Sequence, residues 1–390
     1  MIFKKWSFTN GLVKRFVRTK ILNKIRLLST IEKGIKNMEE NERLVLSSDP
    51  QSHTRQKLTE LQALPLNRKI QLTQTRLLEW YNAWEGKCYI AFSGGKDSTV
   101  LADIAAQVCK INGFEPILFF SDTGLEFPEI KDHVKYFKEY LEKKYEIPIK
   151  LIIDYPRDEN GERVTFRRVL EEKGYPIISK EIAKRVCEYH NAEAKGTLED
   201  SRAYKEFNGL LTKPDGSKSA YNKEKYKYLV DAPFKISHKC CLVMKENPSN
   251  KFAKENGLVK IVGTMACESR ARQNVWIRNG CNAFVADEPR SAPISFWTEQ
   301  DIIQYIIDND IPYASVYGEI VKDKNGKYSF TNYQRTGCIY CAFGINREKE
   351  PNRFQQLKET HPKLYEYCMR SWDKGGLGMD EVLNYIGVKH

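Results

Sequence analysis

The sequence predicts an α/β fold: a doubly wound, mainly parallel sheet with helical additions at its N-terminal and C-terminal ends. Two observations carry that prediction. Short apolar runs alternate with amphipathic helical stretches across residues 88–155, and strands that alternate with helices imply right-handed βαβ crossovers and a parallel sheet. The first apolar run, Cys88-Tyr89-Ile90-Ala91-Phe92, enters the turn Ser93-Gly94-Gly95-Lys96-Asp97-Ser98-Thr99. A helix then leaves that turn with Val100, Leu101, Ile104, Ala105 and Val108 on its apolar side.

The elements follow in order. Leu58 to Trp84 reads as an amphipathic helical approach to the strand at 88–92, and the helix after the turn runs to about Cys109. A second strand, Pro116-Ile117-Leu118-Phe119-Phe120, ends at Ser121-Asp122-Thr123-Gly124. A charged helix, Glu129 to Lys144, carries Val134, Phe137 and Leu141 on one face, and a third strand covers Ile149 to Tyr155. Residues 194–228, rich in Lys, Tyr and Gly, read as a solvated surface insertion. A further strand is expected over Val259 to Thr264. Thr298 with Asp301 three residues on forms a capping-box-like start before Ile302, Ile303, Ile306 and Ile307. Residues 352–386 read as helices broken at Gly375-Gly376. The predicted organisation is a basic extension at 1–45, a helical lead-in at 46–85, an α/β domain at 86–300, and a C-terminal helical region at 301–390.

Composition narrows the class. Hydrophobic residues at 41% and charged residues at 29% describe a globular chain, and no apolar run approaches the roughly 18 residues that cross a bilayer. A cytoplasmic protein without a membrane partner is expected. The net charge of +12 is concentrated: residues 1–37 hold ten Lys or Arg and one acid, leaving +3 for the remainder. The body therefore gives no compositional argument for nucleic-acid binding. The leader reads as a basic arm, a targeting segment, or sequence upstream of a start at Met38. Ten cysteines without a secretory pattern point to a reducing compartment, where thiols act as ligands or nucleophiles.

The turn at 93–99 is the strongest chemical signal. Two glycines let the backbone bend tightly and bring N–H groups close to a ligand, and the N–H groups and dipole at the helix start favour an anion. Ser93, Ser98 and Thr99 hydroxyls and the Lys96 ammonium complete a phosphate cradle. The common nucleoside-triphosphate loop is excluded: it needs Ser or Thr after Gly-Lys and a glycine five positions earlier, where this chain has Asp97 and Ile90. In a doubly wound sheet ligands bind beyond the carboxyl ends of the strands, so Asp122, Thr123 and Gly124 are expected to face the same crevice. Two cysteine groups, the adjacent Cys240-Cys241 and the spaced Cys338-Ile339-Tyr340-Cys341, supply four thiols that can enclose a metal centre. Adjacent cysteines sit less comfortably in a tetrahedral zinc site than in an iron–sulfur cube, which accepts neighbours on different irons. Redox thiols and plain buried cysteines are the other readings. Cys267 and Cys281 are extra thiols expected in core packing, and Cys88, Cys109, Cys187 and Cys368 read as structural.

Residues 93–99 resemble the Ser-Gly-Gly-x-Asp-Ser loop of the PP-loop ATP pyrophosphatases, the adenine nucleotide α-hydrolase superfamily, which cut between the α and β phosphates. Ser121 to Glu129 resembles the Asp-Thr-Gly…Phe-Pro-Glu stretch of sulfonucleotide reductases, and Gly263-Thr264-Met265-Ala266-Cys267-Glu268-Ser269-Arg270-Ala271-Arg272 resembles their substrate segment. The ordered resemblance, from about residue 86 to 345, is to the phosphoadenosine phosphosulfate reductase-like family, of the type found in phages and mobile elements. It implies an adenine nucleotide fold, ATP or an adenylyl sulfonucleotide with Mg²⁺, and catalytic roles for Lys96 and Asp97. It also implies substrate contacts from Glu268, Ser269, Arg270 and Arg272, and a [4Fe–4S] centre on Cys240, Cys241, Cys338 and Cys341. Pro293 to Tyr317 matches the family pattern and reads as mainly architectural.

The resemblance has a gap. The reductases attack with a cysteine in a C-terminal Glu-Cys-Gly segment, whereas this sequence ends Asn384-Tyr385-Ile386-Gly387-Val388-Lys389-His390, and the reductases' phosphate loop is degraded where this one is intact. The expected reaction is therefore adenylation by ATP with pyrophosphate release, followed by sulfur transfer to an acceptor. The implied partners are a sulfur donor such as a cysteine desulfurase and a nucleic-acid acceptor. A reductase of adenylyl sulfate or its 3′-phosphorylated form, using Cys267 or Cys281, and a non-catalytic nucleotide sensor are the alternatives.

Overall fold

The computed structural model describes residues 53–284, 286 and 288–390; the basic leader at 1–37 lies outside the described residues. The chain gathers into two compact units. The first comprises residues up to Phe120, Pro128–Ile153 and Lys251–Thr336, and the second Ser121–Phe127, Asp154–Asn250 and Gly337–His390.

The first unit is organised by a six-stranded sheet: β1 (Cys88–Ala91), β2 (Ile117–Ser121), β3 (Lys150–Asp154), β5 (Val259–Val262), β6 (Asn282–Ala283) and β7 (Arg290–Ser291), in the order β3-β2-β1-β5-β7-β6. β1 sits at the centre, parallel to β2 with Ile90 opposite Leu118, and parallel to β5 with Ile90 opposite Ile261. β7 continues parallel to β5, and only β6 is known to run antiparallel to its neighbour. Central strands of a parallel sheet are covered on both faces and read as unbroken apolar runs; Cys88, Tyr89 and Ile90 are all fully buried. The helix Lys96–Asn112 follows β1 and buries Val100, Leu101, Ile104, Ala105 and Val108, as its periodicity predicts.

The predicted lead-in helix is two helices, Arg55–Gln62 and Leu66–Ala83. The break falls at Pro65, whose missing N–H suits a helix start and not an interior. The second of these helices anchors the unit: Trp297 Nε1 donates to Thr73 Oγ1 at 2.9 Å, and Lys69, fully buried, pairs with Asp301 at 2.6 Å. The capping box predicted at Thr298 and Asp301 opens the helix Glu299–Asp308. A short antiparallel pair, β8 (Ile320–Lys322) and β9 (Tyr328–Phe330), follows in a stretch predicted to be helical.

The second unit is mainly helical around a two-stranded parallel ladder, β4 (Ile177–Ile178) with β10 (Ala342–Phe343). Its C-terminal helices, Arg353–Thr360, Pro362–Met369 and Met379–Tyr385, fall where the sequence placed them. Residues 194–228 are mostly exposed, as expected of a surface insertion, but the reading as a solvated loop is corrected at one place. The helix Arg202–Phe207 lies there, and its Glu206 is fully buried. A carboxylate cannot be buried alone, and Glu206 meets Arg185 Nε at 2.9 Å, Arg202 Nε at 2.7 Å and Lys223 Nζ at 3.1 Å. Among the described residues no helix is long and apolar enough to cross a membrane.

Candidate functional site

Ser93 to Thr99 forms the predicted turn between a buried strand and a helix, in the first unit. Gly94 takes φ +71°, and a Cβ built there would come within 2.7 Å of Val134 Cγ2 and 2.9 Å of Ile130 Cγ2. Glycine is thus required both by the left-handed backbone and by the closeness of the helix Pro128–Tyr145. Ser98 staples the turn: its Oγ donates to Gly95 O at 2.9 Å, accepts from Ser93 N at 3.2 Å, and lies 3.0 Å from Ser93 Oγ. Gly94→Ala is expected to cost about 2–3 kcal/mol through backbone strain and overpacking and to weaken ATP binding in parallel. Calorimetric melting and ATP titration of the variant check this; an unchanged Tm would refute it.

Lys96 is 3% exposed. Its ammonium donates to Gln334 O at 3.0 Å and stands 3.5 Å from both Asp97 Oδ1 and Glu299 Oε1. Its backbone N–H, one of the unpaired donors at the helix start, is covered by the Tyr317 hydroxyl at 2.9 Å, which in turn lies 2.8 Å from Thr336 Oγ1. A Cβ on Gly95 would meet Thr336 Oγ1 and Tyr317 Oη at 3.3 Å and Ser93 Oγ at 3.4 Å. Three hydroxyls therefore ring the second glycine. Within Pro293 to Tyr317, read as mainly architectural, Tyr317 thus reaches the turn directly. Tyr317, Gln334, Thr336 and Glu299 stand around the turn and Lys96, and sequence reasoning did not single them out. The available signal was that Tyr317 and Thr336 fall inside stretches already matched to the family pattern.

Not every predicted hydroxyl faces the turn's surface. Thr99 is fully buried, and its Oγ1 lies 3.1 Å from Nε2 of the buried His133. Burial pushes that imidazole down to about 4, so it is neutral near pH 7. Asp97 is pushed above the ordinary aspartate value by burial, against the opposing pull of Lys96 and Arg335.

The Gly263–Arg272 segment reaches the same turn. A Cβ on Gly263 would stand 3.2 Å from Ser98 Cα and 3.3 Å from Asp97 O, so the two backbones pack directly. Glu268 accepts from Met265 N at 2.9 Å, pairs with Arg272 and stands 3.7 Å from Arg335. Ser269 caps the helix Arg270–Asn279 by accepting from Arg272 N at 3.2 Å, while Arg270 starts it. Burial, and then the neighbouring Arg335, lower Arg272 from the ordinary arginine value. Cys267, expected in the core, is exposed; Cys281 is buried, accepting from Ser295 Oγ at 3.4 Å.

In the second unit, Asp122, Thr123 and Gly124 form a closed turn. Thr123 N and Oγ1 both donate to Glu126, and Gly124 N donates to Asp122 Oδ1 at 3.1 Å. The cysteine pairs belong to this unit too. Cys240 Sγ lies 4.0 Å from Cys241 Sγ at the start of the π-helical turn Leu242–Glu246, and Cys341 N donates to Cys338 O at 3.2 Å. All four thiols are near enough to influence one another electrostatically. The hydrogen bond from Cys240, with Lys180 and Lys245 nearby, lowers Cys241 below the ordinary thiol value, while Cys240 is pushed up. Burial raises Cys338, and burial raises Cys341 to about 11. Lys245 stands 3.4 Å from Glu126. Among the described residues no three His, Cys, Asp or Glu side chains converge as a ready site for a metal ion.

The sheet, the glycine turn at the end of β1 and the helix that follows define an α/β nucleotide-binding protein of the PP-loop class. Residues 87–180 and 186–343 match the phosphoadenosine phosphosulfate reductase domain, and the chain belongs to that family. The family is one of nucleotide-using enzymes in sulfur metabolism. No curated protein matches the chain.

Proposed function

We propose that this protein uses ATP to adenylate an acceptor, releases pyrophosphate, and passes sulfur to the activated acceptor. The observation that carries the reading is the buried Lys96 ammonium beside a glycine turn ringed by the Ser93, Tyr317 and Thr336 hydroxyls. An acceptor oxygen attacks the α-phosphorus, the bond from that phosphorus to the bridging oxygen breaks, and pyrophosphate leaves with the electron pair. Lys96 neutralises the charge that grows on the leaving group, the kind of stabilisation that is usually the largest catalytic term. Asp97 orients Lys96 and, with the nucleotide, would supply oxygen ligands for Mg²⁺. Ser93, Gly94, Gly95, Ser98 and Thr99 hold the turn in shape, and Glu268, Ser269, Arg270 and Arg272 face the substrate. A sulfur nucleophile then displaces AMP.

Cys240, Cys241, Cys338 and Cys341 would hold an iron–sulfur cluster. Four mutually interacting thiols with Lys180 and Lys245 at hand suit a donor set that must carry several thiolate charges, and a cube spreads its ligands over four irons where a single ion needs them gathered. When bound, such a cluster supplies redox and sulfur chemistry.

The exposed thiol of Cys267 favours a second reading, attack on the sulfur of phosphoadenylyl sulfate or adenylyl sulfate, which expels the nucleoside phosphate and leaves Cys267 S-sulfonated; an added thiol reductant then attacks that adduct, releasing sulfite and forming a disulfide with Cys267. Cys368 is unsuited to that task, since it is fully buried in the helix Pro362–Met369. Pyrophosphate release from labelled ATP, with nucleic acid or sulfonucleotide added, is expected with ATP. Sulfite from the sulfonucleotide without ATP would install the second reading, and tight ATP binding with no turnover would leave a sensor. Anaerobically purified protein is expected to carry iron and sulfide; stoichiometric zinc without iron would overturn the cluster.

A further inference from the structure

A cavity of about 180 Å³ lies in the first unit, walled in part by Thr264, Met265, Ala266 and Arg272 of the segment that packs on the glycine turn. Thr264, one of its wall residues, directly follows Gly263, whose backbone packs against Ser98. Met265, Val275 and Trp276 are its apolar wall residues, and Arg272 and Arg290 are its charged ones, the Arg272 guanidinium being paired with Glu268. Arg272 is also close enough to Asp97 for their charges to interact. Trp276 is 1% exposed, and its indole N–H finds no hydrogen-bond partner among the described residues. None of the described wall residues is Asp, Glu or His.

We propose that this cavity is the acceptor site, and that the acceptor is a small carboxylate carried on a ring or similar apolar body. The size argues for one ring: a cavity of about 150 Å³ holds benzene, so about 180 Å³ admits a ring with a carboxyl group and excludes a nucleoside. The charge argues for an anion: Arg272 is already paired with Glu268, but Arg290 makes no ion pair among the described residues, and a guanidinium presents paired donors to a carboxylate. The missing wall base argues for a carboxylate over an alcohol. A carboxylate is already ionised near pH 7, whereas a hydroxyl nucleophile needs a group to take its proton. This assignment rests on the adenylation reading: the carboxylate oxygen bonds to the α-phosphorus of ATP, the bond to the bridging oxygen breaks, and an acyl-adenylate and pyrophosphate result.

Calorimetric titration of the full chain with sodium benzoate, without nucleotide, tests the cavity alone. One benzoate is expected per chain, with benzamide and sulfate binding at least about tenfold more weakly. Arg290→Ala is expected to weaken benzoate about tenfold or more, and Ala292→Leu, which fills the space, to abolish binding. No benzoate binding at tens of millimolar, equal binding of benzamide or sulfate, or an Ala292→Leu variant that binds as before would overturn the proposal. ATP titrations on the same samples separate the two readings. Benzoate binding without ATP binding sinks the nucleotide reading, and ATP binding without benzoate binding sinks the cavity.

Discussion

Replacing Lys96 by alanine is expected to slow pyrophosphate release by about 10²–10³-fold, the cost of deleting one preorganised group that stabilises developing charge. The ammonium is held by Gln334 O, Asp97 and Glu299 in a buried setting, so its charge acts through little water and needs no rearrangement at the moment of bond breaking. The loss should fall on kcat more than on KM, because the charge it meets is fully developed only as pyrophosphate departs. Tyr317→Phe should behave in the opposite sense. A phosphate that reaches the Lys96 amide must displace the Tyr317 hydroxyl from it. Removing that hydroxyl should lower KM for ATP about two- to tenfold, the worth of one hydrogen bond, with kcat little changed. Steady-state pyrophosphate assays on both variants decide the matter. A Lys96→Ala enzyme with unaltered kcat would remove the lysine from the mechanism.

The turn, its strand and its helix were legible because local physics is enough to specify them. Cys88 to Phe92 is an unbroken apolar run, Gly94 occupies the one backbone state that other residues avoid, and the apolar positions after Thr99 repeat with helical spacing. The paired layout of the cysteines likewise foretold that Cys240, Cys241, Cys338 and Cys341 would share a neighbourhood. What surrounds Lys96 was not legible. Tyr317 and Gln334 lie more than two hundred residues along the chain, and no periodicity says which tyrosine will cap a distant helix.

Exposure was misread for the same reason. Cys267 sits in an apolar stretch, Thr264-Met265-Ala266, yet the short helical turn that follows Met265 leaves its side chain outward. Two units whose segments interleave along the chain likewise cannot be read from a linear pass, because chain order and spatial grouping part company at each crossing. Charge-rich sequence misleads most of all. Residues 194–228 carry the composition of a solvated loop, and only the i, i+4 spacing of Arg202 and Glu206 hinted that a charge there would be paired.

That buried carboxylate supports the second large effect. Glu206→Ala is expected to destabilise the second unit by about 3–5 kcal/mol, the range for removing one partner from a buried ionic cluster. The substitution leaves Arg185 and Lys223, both largely buried, without their shared anion and with only the more exposed Glu188 and Glu181 as counter-charges. Arg202, more than half exposed, is relieved by water and should contribute little to the loss. The pH dependence has a definite sign. Burial works against the Glu206 carboxylate, but Arg202, Lys223 and Arg185 outweigh it and hold the group below the ordinary glutamate value. Its contribution is therefore present above the unfolded value of about 4.3 and is lost as pH falls through the lower folded value. Urea unfolding of wild type and Glu206→Ala should differ most at neutral pH and converge as the pH drops below about 4. Equal midpoints at pH 7 would mean that the three cations find water or other anions when the carboxylate is gone, and that the cluster adds nothing to the fold. Glu206→Gln should lie between the two, since an amide keeps the shape and one acceptor oxygen but returns no charge.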